Sequence, residues 1–489
     1  MRFEYAPAPE PRTVVRLRDS YGLFIGGSFV SGSSVFKTIS PATEEVLAEI
    51  TLGGAEDVDR AVAAARHAYE RTWSMMPGRE RGRYLFRIAR LLTERAREFA
   101  VLETMDSGKP IRESRDVDVP LASAHFFYHA GWADKLGYAG FGPSPKPLGV
   151  AGQVIGWNSP LLMLAWKIAP ALACGNTVVL KPAETTPLTA MLFAEVCQQA
   201  DLPPGVVNIV TGDGGTGRLL VGHPGIDKIA FTGSTQVGKE VARQCAVSGQ
   251  RLTLELSGKA ANIVFEDAPI EEAVEGIVSG TFFDSGHVCC AGSSLFVAEP
   301  VLVPFLGALT RRMASLRLGD PMDPGTDIGA VNSRAHLEKI ISLAASGEAD
   351  GAERWSVPCP LPDRGFWFPP TLFSGVEPPS ALAREEIAGP VLTVTTFRTP
   401  EEAVAKANAT PYGLAAGVWT SRGSRALEVA SRLRTGVIWV NAFNRFDPGS
   451  PFGGYKESGF GREGGRHGLE AYLDVVATDV AGTLVAGDV

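Results

Sequence analysis

The chain has 489 residues, 45% hydrophobic and 20% charged, with a net charge of −8. That length exceeds one simple domain and can bury large cores without disulfide help. The acidic balance excludes a general affinity for nucleic acid or anionic membrane, and the six scattered cysteines lack the paired spacing of metal ligands.

The N-terminus, MRFEYAPAPEPRTVVRLRDS, is rich in charge and proline and has no apolar core of signal-peptide length. With mostly apolar neighbours around the thiols, this points to a reduced, cytoplasmic protein. Leu23-Phe24-Ile25 and Ser28-Phe29-Val30 flank Gly26-Gly27, which predicts a two-residue hairpin. Helical periodicity follows over 55–71 and 80–107, with Leu85, Ile88, Leu91, Leu92 and Phe99 on one face. The second of these segments carries seven arginines, Arg79, Arg81, Arg83, Arg87, Arg90, Arg95 and Arg97. Glutamates are interleaved among them, so the stretch reads as a solvated face and not as a polyanion site. The most apolar stretch, Pro160 to Leu180, is interrupted by Lys167, Pro170 and Gly175-Asn176. It predicts a buried helix, a turn and a strand, not a membrane span.

From about 151 the pattern alternates strand and helix. Apolar runs lie at Val154-Ile155, Thr177–Leu180, Val206 to Val210, Lys228 to Phe231 and Leu252 to Leu256. Helical segments begin near Leu161, Pro187, Gly215 and Ser234. Such units predict an α/β fold with a parallel sheet covered on both faces, whose ligands sit at the carboxyl ends of the strands. The turns GWNSP, KPAE, TGDGG and TGST fall at those ends. A second α/β series runs from about Ala261 to Asn441. The dinucleotide pattern G-x-G-x-x-G occurs at Gly212-Gly214-Gly217 and at Gly459-Gly461-Gly464, and 55 glycines make chance matches expected. More informative is FTGSTQVGKEV, Phe231 to Val241, where an apolar strand ends in small residues and a helix begins at once. A phosphate can approach backbone N–H groups at such a helix start. Alone, this segment would read equally well as a plain tight turn.

It does not stand alone. GWNSP (156–160), KPAE (181–184), FTGSTQVG (231–238), LELSGK (254–259), GHVCCAG (286–292), EEIAGP (385–390) and PFGGYKESGFGREGG (451–465) occur in this order. The ordered set resembles the motifs of the aldehyde dehydrogenase superfamily, and the resemblance runs from the hairpin near Phe24 to about Tyr472. It implies a Rossmann-type cofactor domain formed by 1–126 and 149–256, and an α/β catalytic domain over 257–457. It also implies oligomerisation segments at 127–148 and 473–489, with 458–472 returning between the two domains. The implied activity is oxidation of an aldehyde to the acid with NAD, through a thioester on a cysteine.

Residue by residue, Cys289 matches the nucleophile, and a thiolate is the strong neutral-pH nucleophile among ordinary side chains. Cys290 reads as structural. Glu255 lies 34 residues before Cys289 and matches the general base that activates water. Asn158 matches the oxyanion donor, acting with the Cys289 backbone N–H. Lys181 and Glu184 resemble the pair that hold the adenosine ribose, Ser234 the pyrophosphate contact, and Glu386 the contact to the nicotinamide ribose. Ile155, Trp157, Gly214, Phe231, Val237 and Leu256 complete the expected cofactor cleft, and Glu463 resembles a second acid on the water path. The carboxylate of Glu184 favours NAD over NADP.

Four residues depart from the family pattern. Ser159 and Ala388 stand where aromatics are usual, His287 replaces a glutamine or glutamate, and Ser257 replaces a glycine. Ser159 is expected to enlarge or polarise the aldehyde pocket, with Trp166, Phe446 and Phe452 as its aromatic walls. Two alternatives are a CoA-acylating semialdehyde dehydrogenase, against which the presence of Glu255 argues, and a catalytically silent scaffold member, against which retention of Cys289, Glu255 and Asn158 together argues. Leu136 to Leu148, LGYAGFGPSPKPL, is short and rich in glycine and proline where the family carries a hairpin arm. A dimer is therefore expected in preference to the family's common tetramer.

Overall fold

Short apolar runs separated by helices pair here as two sheets, each mainly parallel. A computed structural model of the chain describes residues 6–142 and 145–475, with the backbone of 477–478 and 484–485. The first sheet has eight strands, in the order Gly459–Phe460, Arg251–Glu255, Lys228–Thr232, Val150–Val154, Thr177–Lys181, Val207–Ile209, Leu23–Ile25 and Ser28–Val30. Its five central strands are parallel; the edge strand Gly459–Phe460 and the inner hairpin strand Leu23–Ile25 run antiparallel to them, and Ser28–Val30 turns back antiparallel to Leu23–Ile25. Val150–Val154 and Thr177–Lys181 are buried along their whole length, as strands covered on both faces must be.

The second sheet has seven strands, in the order Glu353–Ser356, Thr371–Ser374, Val391–Phe397, Ser294–Ala298, Ala261–Val264, Ala415–Trp419 and Val437–Val440. All its pairings are parallel except the first. Each sheet has its own apolar clusters, with Leu180, Val178 and Ile209 in one and Leu295, Val297 and Leu392 in another.

The expected hairpin, the helix–turn–strand over 160–180 and the strand–helix units are all present. The apolar stretch becomes the helix Pro160–Cys174, followed by the strand Thr177–Lys181. Its Lys167 is fully buried and paired with Glu463. Among the described residues no helix is long and apolar enough to cross a membrane.

Two helix expectations need correction. The stretch 80–107 is not one helix: Gly78–Glu94 ends at Arg95, whose backbone (φ −98°, ψ 17°) leaves the helical region, and Ala96–Ser107 restarts. Periodicity misses this break because both helices bury apolar faces in one cluster, Leu85 and Leu92 from the first and Phe99 from the second. The first helix, Ala55–Ala68, runs into a wider π-type turn, Tyr69–Trp73, which seats the fully buried Trp73. The arginines are mostly held locally: Arg83 pairs with Glu80, Arg87 with Asp201, Arg95 with Glu98 and Glu195. Arg81 instead is buried and donates to the carbonyls of Ala173 and Met76.

Between residues 136 and 148, Leu136–Tyr138 forms a single 3-10 turn. Lys146–Pro147 pairs antiparallel with Leu473–Asp474 of the same chain. Ala477–Thr478 pairs with Leu484–Val485. Pro143, Ser144 and the remainder of 476–489 lie outside the described residues.

Candidate active site

Three chain turns converge where the strands of the first sheet end. The turn GWNSP follows the strand Val150–Val154, and the Ile155 N–H donates to the Lys181 carbonyl at 3.2 Å, tying it to the neighbouring strand. Pro160 then occupies the first helical position, where its missing N–H costs nothing. Ser159, just before it, is buried, and its hydroxyl accepts a hydrogen bond from the Lys109 ammonium at 3.1 Å. Lys109 also meets Asp118 at 2.5 Å and Glu103 and Asp284 at 3.6 Å. Burial by itself would favour the neutral amine, but these carboxylates outweigh it and hold Lys109 firmly charged. Ser159 therefore turns its polarity toward an internal ion cluster.

The second turn ends the strand Arg251–Glu255, whose last residue pairs with Thr232 on one side and Gly459 on the other. Glu255 is 5% exposed, and neither carboxyl oxygen has a hydrogen-bond partner among the described residues. Gly453 lies against it: a Cβ there would come within 2.8 Å of Oε1, so a side chain would displace the carboxyl group. Burial pushes the Glu255 carboxyl well above its usual range, the charge of Glu463 adds to this, and Lys167 opposes it.

The third turn carries the nucleophile candidate. Asp284, Ser285 and Gly286 take left-handed backbone in succession, with φ of 50°, 53° and 78°. At Gly286 only glycine fits, since a Cβ would collide with the Gly389 carbonyl. Cys289 is part-exposed and Cys290 fully buried. The Cys290 thiol reaches Asn444 Oδ1 at 3.5 Å, which fits a packing role. A hydrogen bond with Cys290 raises the Cys289 thiol pKa well above the usual value, and burial raises it further.

These turns line one cleft of about 480 Å³. Asn158, Glu255 and Cys289 all open onto it. So do all the expected cofactor residues: Ile155, Trp157, Lys181, Glu184, Gly214, Phe231, Ser234, Val237, Leu256 and Glu386. At the end far along the chain from Cys289, Lys181 Nζ lies 3.4 Å from Glu184 Oε2, with the lysine buried and the glutamate half-exposed. Val221 and Val241 supply apolar lining there. Ser234 caps the helix Thr235–Ser248 by accepting the Val237 N–H. At the other end Glu386 Oε1 accepts the Gly258 N–H at 3.1 Å. Burial raises the Glu386 carboxyl, and a hydrogen bond with Ser257 pulls it back down. A paired acid and lysine, apolar slots and a capped helix start fit a dinucleotide, with Glu386 and Cys289 at its reactive end.

Ser159, Trp166, Phe446 and Phe452 do not line this cleft. Trp166 stacks on Phe452 at 5.1 Å and meets Phe446 at 6.1 Å, edge to face. These rings and Cys289 belong to one apolar cluster. Among the departures, Ser257 binds Glu386, Ala388 takes left-handed backbone (φ 50°), and His287 packs on Trp157. Sequence reasoning missed His336 and Lys339, which line the cleft from the helix Arg334–Ala349. That helix carries none of the quoted motifs. Its one local mark is Ser333, which caps it by accepting the His336 N–H.

The aldehyde dehydrogenase family model matches residues 29–478. Aldehyde dehydrogenase family 2 member B4, mitochondrial, of Arabidopsis thaliana is 44% identical over 472 residues, covering 94% of this chain and 88% of that protein. Retinal dehydrogenase 2 of Homo sapiens is 41% identical over 489 residues, covering 97% and 94%. Among solved structures, an NAD+ complex of an aldehyde dehydrogenase from Bacillus cereus matches with a TM-score of 0.90 at 39% identity, covering 94% of this chain and 96% of that one. With its motifs in order and its cleft assembled from them, the chain belongs to the aldehyde dehydrogenase family.

Proposed function

We propose that Cys289, Glu255 and Asn158 carry out the NAD-dependent oxidation of an aldehyde to its carboxylic acid, the activity that family membership establishes. The observation that carries this assignment is their convergence on one cleft together with every expected cofactor residue. Bound NAD+ supplies the hydride acceptor. Once the Cys289 thiol has given its proton to solvent water, its sulfur adds to the aldehyde carbon and the carbonyl electron pair moves onto oxygen. The Asn158 side-chain N–H and the Cys289 backbone N–H hold that oxyanion, an interaction stronger after addition than before. Loss of hydride leaves a thioester on Cys289. Glu255 then takes a proton from water, the hydroxide attacks the thioester carbon, and the acid departs as the sulfur recovers its electrons. Glu255 and Cys289 line the same cleft, which supports their working on one acyl group.

Glu255 must be ionised to act as a base, and its carboxyl is held well above the usual range. Deacylation is therefore expected to rise with pH at values above those where an ordinary carboxylate has already ionised. Lys181 and Glu184 would hold the adenosine ribose, Ser234 the pyrophosphate and Glu386 the nicotinamide ribose. We read 1–126 and 149–256 as the NAD-binding domain, 257–457 as the catalytic domain and 458–472 as the return segment. The segments 127–148 and 473–489 are read as serving assembly. Trp166, Phe446, Phe452 and Ser159 are assigned to the aldehyde side of Cys289. Six free thiols suit a reducing cytoplasm.

Cys289→Ala is expected to abolish NADH formation over a panel of aldehydes, while Cys290→Ala retains most of it. Comparable activity in wild type and Cys289→Ala would overturn the nucleophile. Activity should not require CoA; strict dependence on it would instead make the chain an acylating enzyme. Glu255→Gln should slow deacylation by roughly 10²–10⁴-fold while sparing the first hydride transfer. Rapid mixing should show a burst of NADH, with the acyl-enzyme visible by mass spectrometry. If the burst falls as far as steady turnover does, Glu255 acts earlier.

The Glu184 carboxylate accepts both ribose hydroxyls but repels a 2′-phosphate, a repulsion softened by Lys181. NAD should therefore give the higher kcat/KM, and equal or better efficiency with NADP would refute this. Finally, we infer a homodimer. Lys146–Pro147 forms only a two-residue strand, paired within its own chain, so the arm offers little free edge to a second dimer. Light scattering at micromolar concentration tests this, and a stable tetramer would show that the short arm does not decide assembly.

A further inference from the structure

Two imidazoles at the reactive end of the cleft have no part in the chemistry above. His287 and His336 line it together with Cys289, Glu386 and Ala388. They come from different elements, His287 from the turn before the nucleophile and His336 from the first turn of the helix Arg334–Ala349. Their ring centroids lie 5.9 Å apart at 65°. Each also meets the Trp157 indole, His287 at 5.0 Å and 74°, His336 at 5.1 Å and 59°. These are favoured edge and tilted aromatic geometries, and they join the three rings into one surface.

Each imidazole is fixed from behind. His336 Nε2 lies 2.6 Å from the Ala388 carbonyl oxygen. A carbonyl only accepts, so Nε2 carries the proton and Nδ1 keeps a lone pair in the neutral ring. Burial holds the ring neutral by pushing its pKa down to about 4, with His287 adding to the effect. Ala388 accepts this bond from left-handed backbone and offers only a methyl side chain where the family resemblance expects an aromatic. His287 donates its backbone N–H to the Asp284 carbonyl at 2.8 Å, and its Nδ1 lies 3.6 Å from Asp284 Oδ1. Its Nε2 is buried without a hydrogen-bond partner among the described residues.

We propose that Trp157, His287 and His336 form the wall that seats the nicotinamide half of the dinucleotide, the two imidazoles supplying the aromatic surface that Ala388 lacks. The inference rests on the NAD reading of the cleft. The oxidised nicotinamide ring is flat and positively charged, so it is attracted by the faces of aromatic rings such as Trp157 and the neutral His336. Its carboxamide carries N–H donors, matching the lone pair at His336 Nδ1.

Calorimetry on the full-length protein tests this with NAD+ and with ADP-ribose, which lacks the nicotinamide. His336→Ala should weaken NAD+ about tenfold, the scale of one lost aromatic contact, and leave ADP-ribose within about twofold. His336→Phe should restore most of the loss and His336→Gln should not. Unchanged NAD+ affinity in His336→Ala overturns the proposal, as does an equal loss for both ligands. Rescue by glutamine but not by phenylalanine also overturns it, since the role would then be hydrogen bonding alone. A wild type that binds neither ligand would sink the cofactor reading itself. Should His336→Ala fail to fold, His336→Phe against His336→Gln carries the same comparison.

Discussion

Parallel strands must be joined by crossovers, and the crossovers leave every carboxyl end on one edge of the sheet. Val154, Lys181, Thr232 and Glu255 end four hydrogen-bonded parallel strands, and each feeds a turn that lines the cleft. Pairing of Thr232 with Glu255 and of Glu255 with Gly459 fixes how far each turn projects. A one-residue slip of the strand Arg251–Glu255 would point the Glu255 carboxyl to the opposite face of the sheet. The nucleophile turn arrives from the second α/β unit, so the cleft exists only where the two units meet.

Around the reactive end, charge is buried in unequal sets. Lys167 and Glu463 neutralise each other, and Lys109 sits among Asp118, Glu103 and Asp284. Removing one partner from such a pair costs roughly 3–5 kcal/mol, because an uncompensated charge remains buried. Glu255 has no such partner of its own; it feels Lys167 only at a distance and Glu463 against it. That imbalance holds the carboxyl pKa well above the usual range, which favours a group that takes a proton from water.

The nucleophile turn shows the cost of precise placement. Asp284 and Ser285 sit in left-handed backbone, a conformation that disfavours side chains by roughly 1–2 kcal/mol each. Contacts from outside the turn hold it there: the Asp284 N–H donates to Glu113, and the Ser285 hydroxyl accepts the Gly329 N–H. Local strain at a reacting group, held in place by its surroundings, is the usual economy of active sites.

Much of this was legible in the residues themselves. Strand–helix alternation and turn chemistry are local, so the hairpin at Gly26-Gly27, the helix from Pro160 and the cap at Ser234 could be read without a fold. The ordered motifs named Cys289, Glu255, Asn158 and the cofactor residues because each lies in a run of neighbours that chance rarely assembles. The break at Arg95 was invisible, since both flanking helices bury apolar faces and periodicity continues across it. His336 was equally hidden: it lies 47 residues after Cys289, on a separate helix, and meets Trp157 only through the packing of separate elements. The partners of the departing residues were decided the same way, Ser159 by Lys109, Ser257 by Glu386 and Ala388 by His336. Local sequence determines which backbone forms and which chemistry it carries. Only the tertiary structure decides which distant side chain a buried polar group must satisfy, because that choice depends on what else has been removed from water beside it.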